Sequence, residues 1–405
     1  MKNYFAEKYN YKDPCCLNKW TWSTIFLQTM KTNSCHRVYL DDLTIDNFNQ
    51  FHNTNNKIAA RKKMLAGEWP GYGCEYCKNI EISGGISDRN IVNNQLEYLP
   101  TQCETQESLY TTPKILEVYF SNKCNMKCTY CNSSLSSLWG KELEKFNLHD
   151  HNKKHILNTK DFETVKKIFW IWLQENYKKI REYRILGGEP FFQSEFQDNL
   201  DFFEKNNCRH LKVVVFTNLK IAKNNLIKNL NKIKNIIENK KVDHFEIVIS
   251  VDCYGPAQEY IRTGFDQDNF DNNMETIVHN YKMINLQFHS TITGLSIPTM
   301  YKLLQKRNTW QEFMGQKINW SANFVGHDVL TPHIYPKGYF DTDLNKSCEQ
   351  LQGIEKEILI GYKDTINNNN FEPEKIQDLK SYLNVLDKRR NTDWKKVFPW
   401  LEIIK

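Results

Sequence analysis

Three cysteines stand close together in Cys124-Asn125-Met126-Lys127-Cys128-Thr129-Tyr130-Cys131. Three thiolates at this spacing can hold three corners of a cubane iron-sulfur cluster and leave the fourth iron open to an outside ligand. A structural zinc ion wants a fourth protein ligand, and the nearest other cysteine, Cys103, precedes a strand-like run. A second group, Cys16, Cys35 and Cys74-Glu75-Tyr76-Cys77, supplies four thiols and can close a site by itself. Read alone, a CxxC pair with two distant cysteines fits a structural zinc ion about as well as a cluster. Cys15 competes with Cys16 for the first position, and His36 beside Cys35 is a further candidate, because imidazole replaces thiolate in some clusters.

Other groups follow the first cysteine set. Gly187-Gly188-Glu189-Pro190 combines two glycines, which let the backbone approach a ligand closely, with a carboxylate suited to an ammonium partner. Ser250 and Asp252 are two residues apart on a strand-like run, a spacing that puts both on one face, and both suit hydroxyl partners. Cys348 is isolated in the C-terminal part of the chain and is a candidate hydrogen-atom donor, although burial is the commoner fate of a lone cysteine.

These residues must be positioned by regular elements. From Lys114 to Phe324, short β-branched or apolar runs alternate with longer helical patterns, which predicts parallel α/β architecture. Strands are expected at Ile115 to Asn122, Tyr183 to Gly187, Leu211 to Asn218, Phe245 to Asp252, Phe288 to Gly294 and Ile318 to Phe324. Between Asp161 and Lys178 the residues Val165, Ile168, Trp172 and Leu173 make an apolar stripe at helical spacing. Six βα units predict a partial (β/α)6 barrel over residues 113–325, with its chemistry at the C-terminal ends of the strands. Residues 1–112 form a cysteine-rich N-terminal module by composition. Residues 326–405 form a mostly helical extension, with helices near Glu349 to Tyr362 and Glu374 to Arg390.

The 405 residues are 40% hydrophobic and 13% aromatic, ample for a globular core. Lys and Arg exceed Asp and Glu by 54 − 48 = 6, spread along the chain without a basic block, so nucleic acid is not indicated as a partner. The first residues lack the apolar core of a secretion signal, and the longest apolar stretch, Ile168 to Leu173, is too short to span a bilayer. A cytoplasmic protein with no membrane partner is expected. Its 12 cysteines then point to metal or cluster binding in preference to disulfides.

The CxxxCxxC spacing with Tyr130 before its last cysteine, followed by Gly187-Gly188-Glu189-Pro190, resembles the signature of the radical S-adenosylmethionine (SAM) superfamily. The resemblance implies a SAM-binding 4Fe-4S cluster on Cys124, Cys128 and Cys131, whose open iron chelates the amine and carboxylate of SAM. It also implies reductive cleavage of SAM to a 5'-deoxyadenosyl radical that takes hydrogen from a substrate. Tyr130, Gly187, Gly188, Glu189 and Pro190 then belong to the SAM site, with Glu189 at the methionyl amine. Ser250 and Asp252 match ribose-binding positions, and Arg262 matches an arginine of the SAM carboxylate region. Asn218 resembles the family's Thr-Asn-Gly, with Leu219 in the place of glycine, and Ile292 is placed to pack on adenine.

The N-terminal cysteines, with Lys63-Met64-Leu65-Ala66-Gly67 before Cys74 and Glu81 through Arg89 after Cys77, resemble the N-terminal twitch domain of a subset of these proteins. That domain is a shortened relative of the SPASM module, and the closing Leu386 to Arg390 and Phe398-Pro399 look like the same subset. The resemblance implies a second, auxiliary 4Fe-4S cluster on Cys16, Cys35, Cys74 and Cys77, with zinc as the alternative. It implies an enzyme acting on a peptide or protein, a flavodoxin- or ferredoxin-type electron donor, and a separate recognition partner for the substrate. Modification of a nucleotide, a tRNA or a small metabolite is the second enzymatic reading. An iron-sulfur electron-transfer or scaffold protein is the third, although a pure electron carrier needs no SAM pocket.

Overall fold

Runs such as Val213-Val214-Val215-Phe216 and Ile247-Val248-Ile249 carry side chains that pack well on a pleated surface, and each forms a strand. The computed structural model describes residues 14–95, 109–368 and 371–404. In chain order its strands are β1 (Trp22–Phe26), β2 (Lys31–Asn33), β3 (Asp41–Asp42), β4 (Ile115–Tyr119), β5 (Lys127–Cys128), β6 (Glu182–Leu186), β7 (Lys212–Thr217), β8 (His244–Ser250), β9 (Arg262–Thr263), β10 (Asn285–Ile292) and β11 (Asn319–Phe324). All six expected strands form, with ends displaced by a few residues.

The fold is α/β with a mostly parallel central sheet of nine strands in the order β11-β10-β8-β7-β6-β4-β1-β2-β3. From β4 to β11 each successive main strand joins the same side of the sheet, in parallel with its predecessor. Helices Thr159–Asn176, Ser194–Lys205, Lys223–Glu238, Gln267–Asn280 and Ile297–Met314 make the crossovers. Such one-way winding, with a helix after each strand, is compatible with a partial barrel. Helix Thr159–Asn176 is capped by the Asn158 side chain and buries Phe162, Val165, Phe169 and Leu173; Ile168 and Trp172 of the expected stripe are only partly buried.

The sheet does not stop at residue 112. β1 pairs in parallel with β4, from Trp22 opposite Ile115 to Phe26 opposite Tyr119, and β2 and β3 add antiparallel to its far side. The N-terminal cysteine region is therefore hydrogen-bonded to the first strand of the α/β unit. After β11 the chain is helical, including Asp341–Glu349, Gly353–Asn367 and Pro373–Arg390. Among the described residues no helix is long and apolar enough to cross a membrane.

Candidate functional site

β10 alternates between buried and half-buried residues. Leu286, Phe288, Ser290 and Ile292 enter the core, whereas Gln287, His289 and Thr291 line a cavity of about 620 Å³. The same cavity receives Glu117 and Tyr119 from β4, Arg184 and Leu186 from β6, Phe216 from β7, Ser250 from β8, and Ser321 and Asn323 from β11. At the C-terminal ends of the strands its wall is Cys124, Cys128, Tyr130, Cys131, Gly187, Gly188, Glu189, Asn218 and Arg262. Most motif residues of the sequence thus meet in one place.

The cysteine loop is held from two sides. Lys127 and Cys128 pair antiparallel with Thr263 and Arg262, and the Asn218 side chain donates to Asn125 Oδ1 at 2.9 Å. Burial raises the pKa of Cys124 to about 12, helped by the neighbouring Cys128. Burial also raises Cys128, and it raises Cys131, which feels both other thiols. Thiols raised in this way ionise when a cation binds them. The loop provides no fourth thiol, and the adjoining cavity is large enough to admit a ligand at an open corner.

Glu189 is 1% exposed, and burial pushes its pKa up to about 7 against the pull of its hydrogen bonds. Oε1 accepts from Phe191 N at 3.0 Å and Thr217 Oγ1 at 2.6 Å, and Oε2 accepts from Asn218 N at 2.6 Å. A carboxylate offers about four acceptor positions, so one on Oε2 remains for a donor in the cavity. Ser250 Oγ makes no hydrogen bond among the described residues. Arg262 is buried, stands over Tyr130 with Cζ 5.6 Å from the ring centroid, and keeps Nη1 without a partner among the described residues. An ammonium acceptor, a hydroxyl and a guanidinium N–H therefore face the same space as the three thiols. This donor set fits SAM.

Four of the expected site residues do not line the cavity. Asp252 is off the cavity wall: it lies beyond the end of β8, so strand alternation no longer applies, and it is fully buried. Its oxygens accept from Arg262 Nε and Nη2 at 2.9 and 2.8 Å, from Tyr130 Oη at 2.7 Å and from Thr291 N at 2.8 Å. Ile292 is core, because it falls on the buried parity of β10, and its neighbour Thr291 reaches the cavity. Cys348 is buried in helix Asp341–Glu349, which packs on helix Ile297–Met314, and does not line the cavity. Pro190 begins a short 3-10 turn behind Glu189 and also lies off the cavity wall.

The two glycines line the cavity and also pack closely on protein backbone. A Cβ on Gly188 would stand 2.4 Å from the Lys123 carbonyl oxygen, and one on Gly187, whose φ is +135°, would stand 2.8 Å from that of Ser121. They let the end of β6 pack against the chain entering the cysteine loop, which Gly188 N and Glu189 N then hydrogen-bond. Leu219, replacing the family's glycine, has φ +58° and is buried.

Cys16 and Cys74 share a small buried cluster against which Cys35 packs. Burial raises Cys16, with further repulsion from Cys35 and Cys74; burial likewise raises Cys35 and Cys74, with a smaller repulsion from Cys77 at each. Lys19, 2% exposed, opposes this at Cys16, Cys35 and Cys74, and Trp20 packs beside Cys16, Cys74 and Met64 with its buried Nε1 unpartnered among the described residues. A buried cation and an orphan N–H fit an anionic group held by thiolates. Arg89 ion-pairs Glu81 and donates to the Cys15 carbonyl at 2.9 Å, so the segment after Cys77 braces the start of the site. Among the described residues no three His, Cys, Asp or Glu side chains are gathered closely enough to hold a single metal ion. Cys103 lies outside the described residues.

Sequence reasoning missed the remaining wall. His36 Nε2 is 3.2 Å from Glu117 Oε2, so the imidazole turns to the cavity; Glu117 also receives Arg184 Nη1 at 3.0 Å and Thr24 Oγ1 at 2.8 Å. Burial opposes ionisation of Glu117, but His36 and Arg184 hold its pKa down at about 2. Burial lowers His289 to about 4, leaving it neutral at pH 7. The available signal was polar residues at alternating positions in strands of a parallel sheet, where apolar runs are the rule. No family model matches the chain, and no curated protein matches it.

Proposed function

We propose that this chain is a radical SAM enzyme that modifies a peptide or protein by hydrogen abstraction. One observation carries the reading: the three thiols of a single loop share a cavity wall with Glu189, Arg262 and Ser250. A 4Fe-4S cluster on Cys124, Cys128 and Cys131 with SAM at its open iron would supply an electron to the sulfonium and thereby a 5'-deoxyadenosyl radical. Glu189 Oε2 would accept the methionyl ammonium, Arg262 Nη1 would donate to the carboxylate, and the Ser250 hydroxyl would meet the ribose. Tyr130 and Asp252 hold Arg262 in place for this contact. The strands enclose the far part of the cavity and limit access of water to the reacting atoms. The partial-barrel description and the cytoplasmic location belong to this same reading.

The N-terminal thiols would hold the auxiliary cluster, with Lys19 offsetting its negative charge. Four thiolates would leave it no open iron, so its task would be electron transfer or cross-linking of the segments that carry it. Electrons come from a flavodoxin- or ferredoxin-type donor, and a separate protein presents the substrate. The test is anaerobic reconstitution, reduction and measurement of 5'-deoxyadenosine from SAM. The wild-type chain should form it and a variant with Cys124, Cys128 and Cys131 all changed to Ala should not; equal yields from both would overturn the reading.

A further inference from the structure

The N-terminal ends of the strands carry no motif chemistry, and in barrel enzymes this end serves stability. Here it is a basin of about 500 Å³ whose wall includes Lys114, Arg181, Arg184, Arg209 and Lys212, a volume within the ordinary range for ligand sites. The acids at this end each engage a cation of the wall: Glu182 with Arg184 at 2.6 Å, Asp243 with Arg209 at 3.5 Å and Glu246 with Lys212 at 2.7 Å. Lys114 and Arg181 have no carboxylate partner among the described residues. Burial lowers the pKa of Lys114, and the charges of Arg181 and Lys179 lower it further. These cations come from separate stretches of chain, so no basic block is visible in the sequence; the sheet gathers them.

The basin adjoins the cavity that holds the cysteines. Trp22 and Arg184 are wall to both spaces, with the Arg184 guanidinium carbon 4.4 Å from the indole centroid. From these facts we infer that the basin is a docking site for an acidic stretch of the substrate polypeptide, next to the residue that is modified. The inference rests on the peptide reading given above. Carboxylates are favoured over a nucleic-acid strand because single strands bind through free aromatic faces as well as cations. Among the rings lining the basin, Trp22 is covered by Arg184 and met edge-on by His36, His210 is held at the Tyr177 carbonyl with Nε2 at 3.0 Å, and His244 faces Glu246 at 3.9 Å.

The test is fluorescence anisotropy on the full-length, anaerobically reconstituted protein with three labelled probes: a short Glu-Ala repeat, the matching Gln-Ala repeat, and oligouridylate. The Glu-Ala probe should bind best and weaken with salt. A Lys114→Gln, Arg181→Gln double variant should bind it about tenfold less tightly, and Arg209→Gln should act in the same direction. Uncoupled SAM cleavage should be unchanged in these variants, which also reports that they fold. Equal binding of the Gln-Ala probe, tighter binding of oligouridylate, no binding of the Glu-Ala probe, or no loss in the variants would each overturn the inference. If the acidic probe binds as stated but wild type cleaves no SAM, the enzymatic reading fails and the docking surface stands. Cleavage without acidic-probe binding has the opposite meaning.

Discussion

Arg390 and Glu142, distant in sequence, form an ion pair of 3.2 Å in which both side chains are 2% exposed. Glu142 also takes Lys127 at 2.5 Å, and Arg390 lies 4.8 Å from the Trp139 ring centroid while that indole donates to the Cys128 carbonyl at 2.8 Å. The C-terminal helix Pro373–Arg390 thus clamps the loop that carries the three thiols. Removing one partner leaves a buried unpaired charge, so Glu142→Ala should cost about 3 to 5 kcal/mol. Urea unfolding of the apo protein measures this, and the purified variant should carry less iron.

Asp252→Asn should act as a structural change. Arg262 would lose its counter-charge in a buried site, a cost of about 3 to 5 kcal/mol, and the Cys128–Arg262 strand pair would loosen. Iron content and stability should fall together. A variant with full iron and weakened SAM affinity would instead return Asp252 to the ribose.

At Leu219 the left-handed backbone, φ +58°, costs an L-residue about 1 to 2 kcal/mol that glycine avoids. Both Leu219→Ala and Leu219→Gly lose the buried side chain, but only the latter relieves the backbone. The Gly variant should therefore be the more stable of the two by about 1 kcal/mol, the reverse of the order in an ordinary helix. Paired denaturation curves decide it.

Glu189 gives the apo protein a pH signature. Its folded pKa, pushed up to about 7 by burial, exceeds the unfolded value near 4.5, so the native state binds more protons between those values. Its contribution to stability is full below about pH 4.5 and is lost as pH rises through 7, by about 3 kcal/mol in total. Subtracting the stability–pH curve of Glu189→Gln from that of wild type should show this decline. SAM should bind wild type more tightly as pH rises across the same range, because the ammonium needs the carboxylate.

A Cys74→Ala, Cys77→Ala variant should lose about half its iron, two clusters becoming one, while keeping some uncoupled SAM cleavage. Iron and zinc analysis with Mössbauer spectra of the anaerobic protein measures this. One cluster plus one zinc in wild type would refute the auxiliary assignment and leave the cavity site untouched.

The local pattern of the sequence determined the parallel strands and the sites of the motifs, because β-branched runs and thiol spacing are properties of neighbouring residues. It placed Cys124, Cys128, Cys131, Gly187, Glu189, Asn218 and Ser250 at or near strand ends, where they meet, whereas Arg262 was marked only by the resemblance. Whether a given side chain faces cavity or core was decided by where each strand stops and by its parity, which moved Asp252 and Ile292 off the wall and brought Thr291 onto it. Partners distant in the chain were beyond a local reading: β1 beside β4, His36 on Glu117, Arg390 on Glu142. So was the gathering of Lys114, Arg181 and Arg209 around one basin, since charges spread along the chain become a field only when the sheet aligns the ends of its strands.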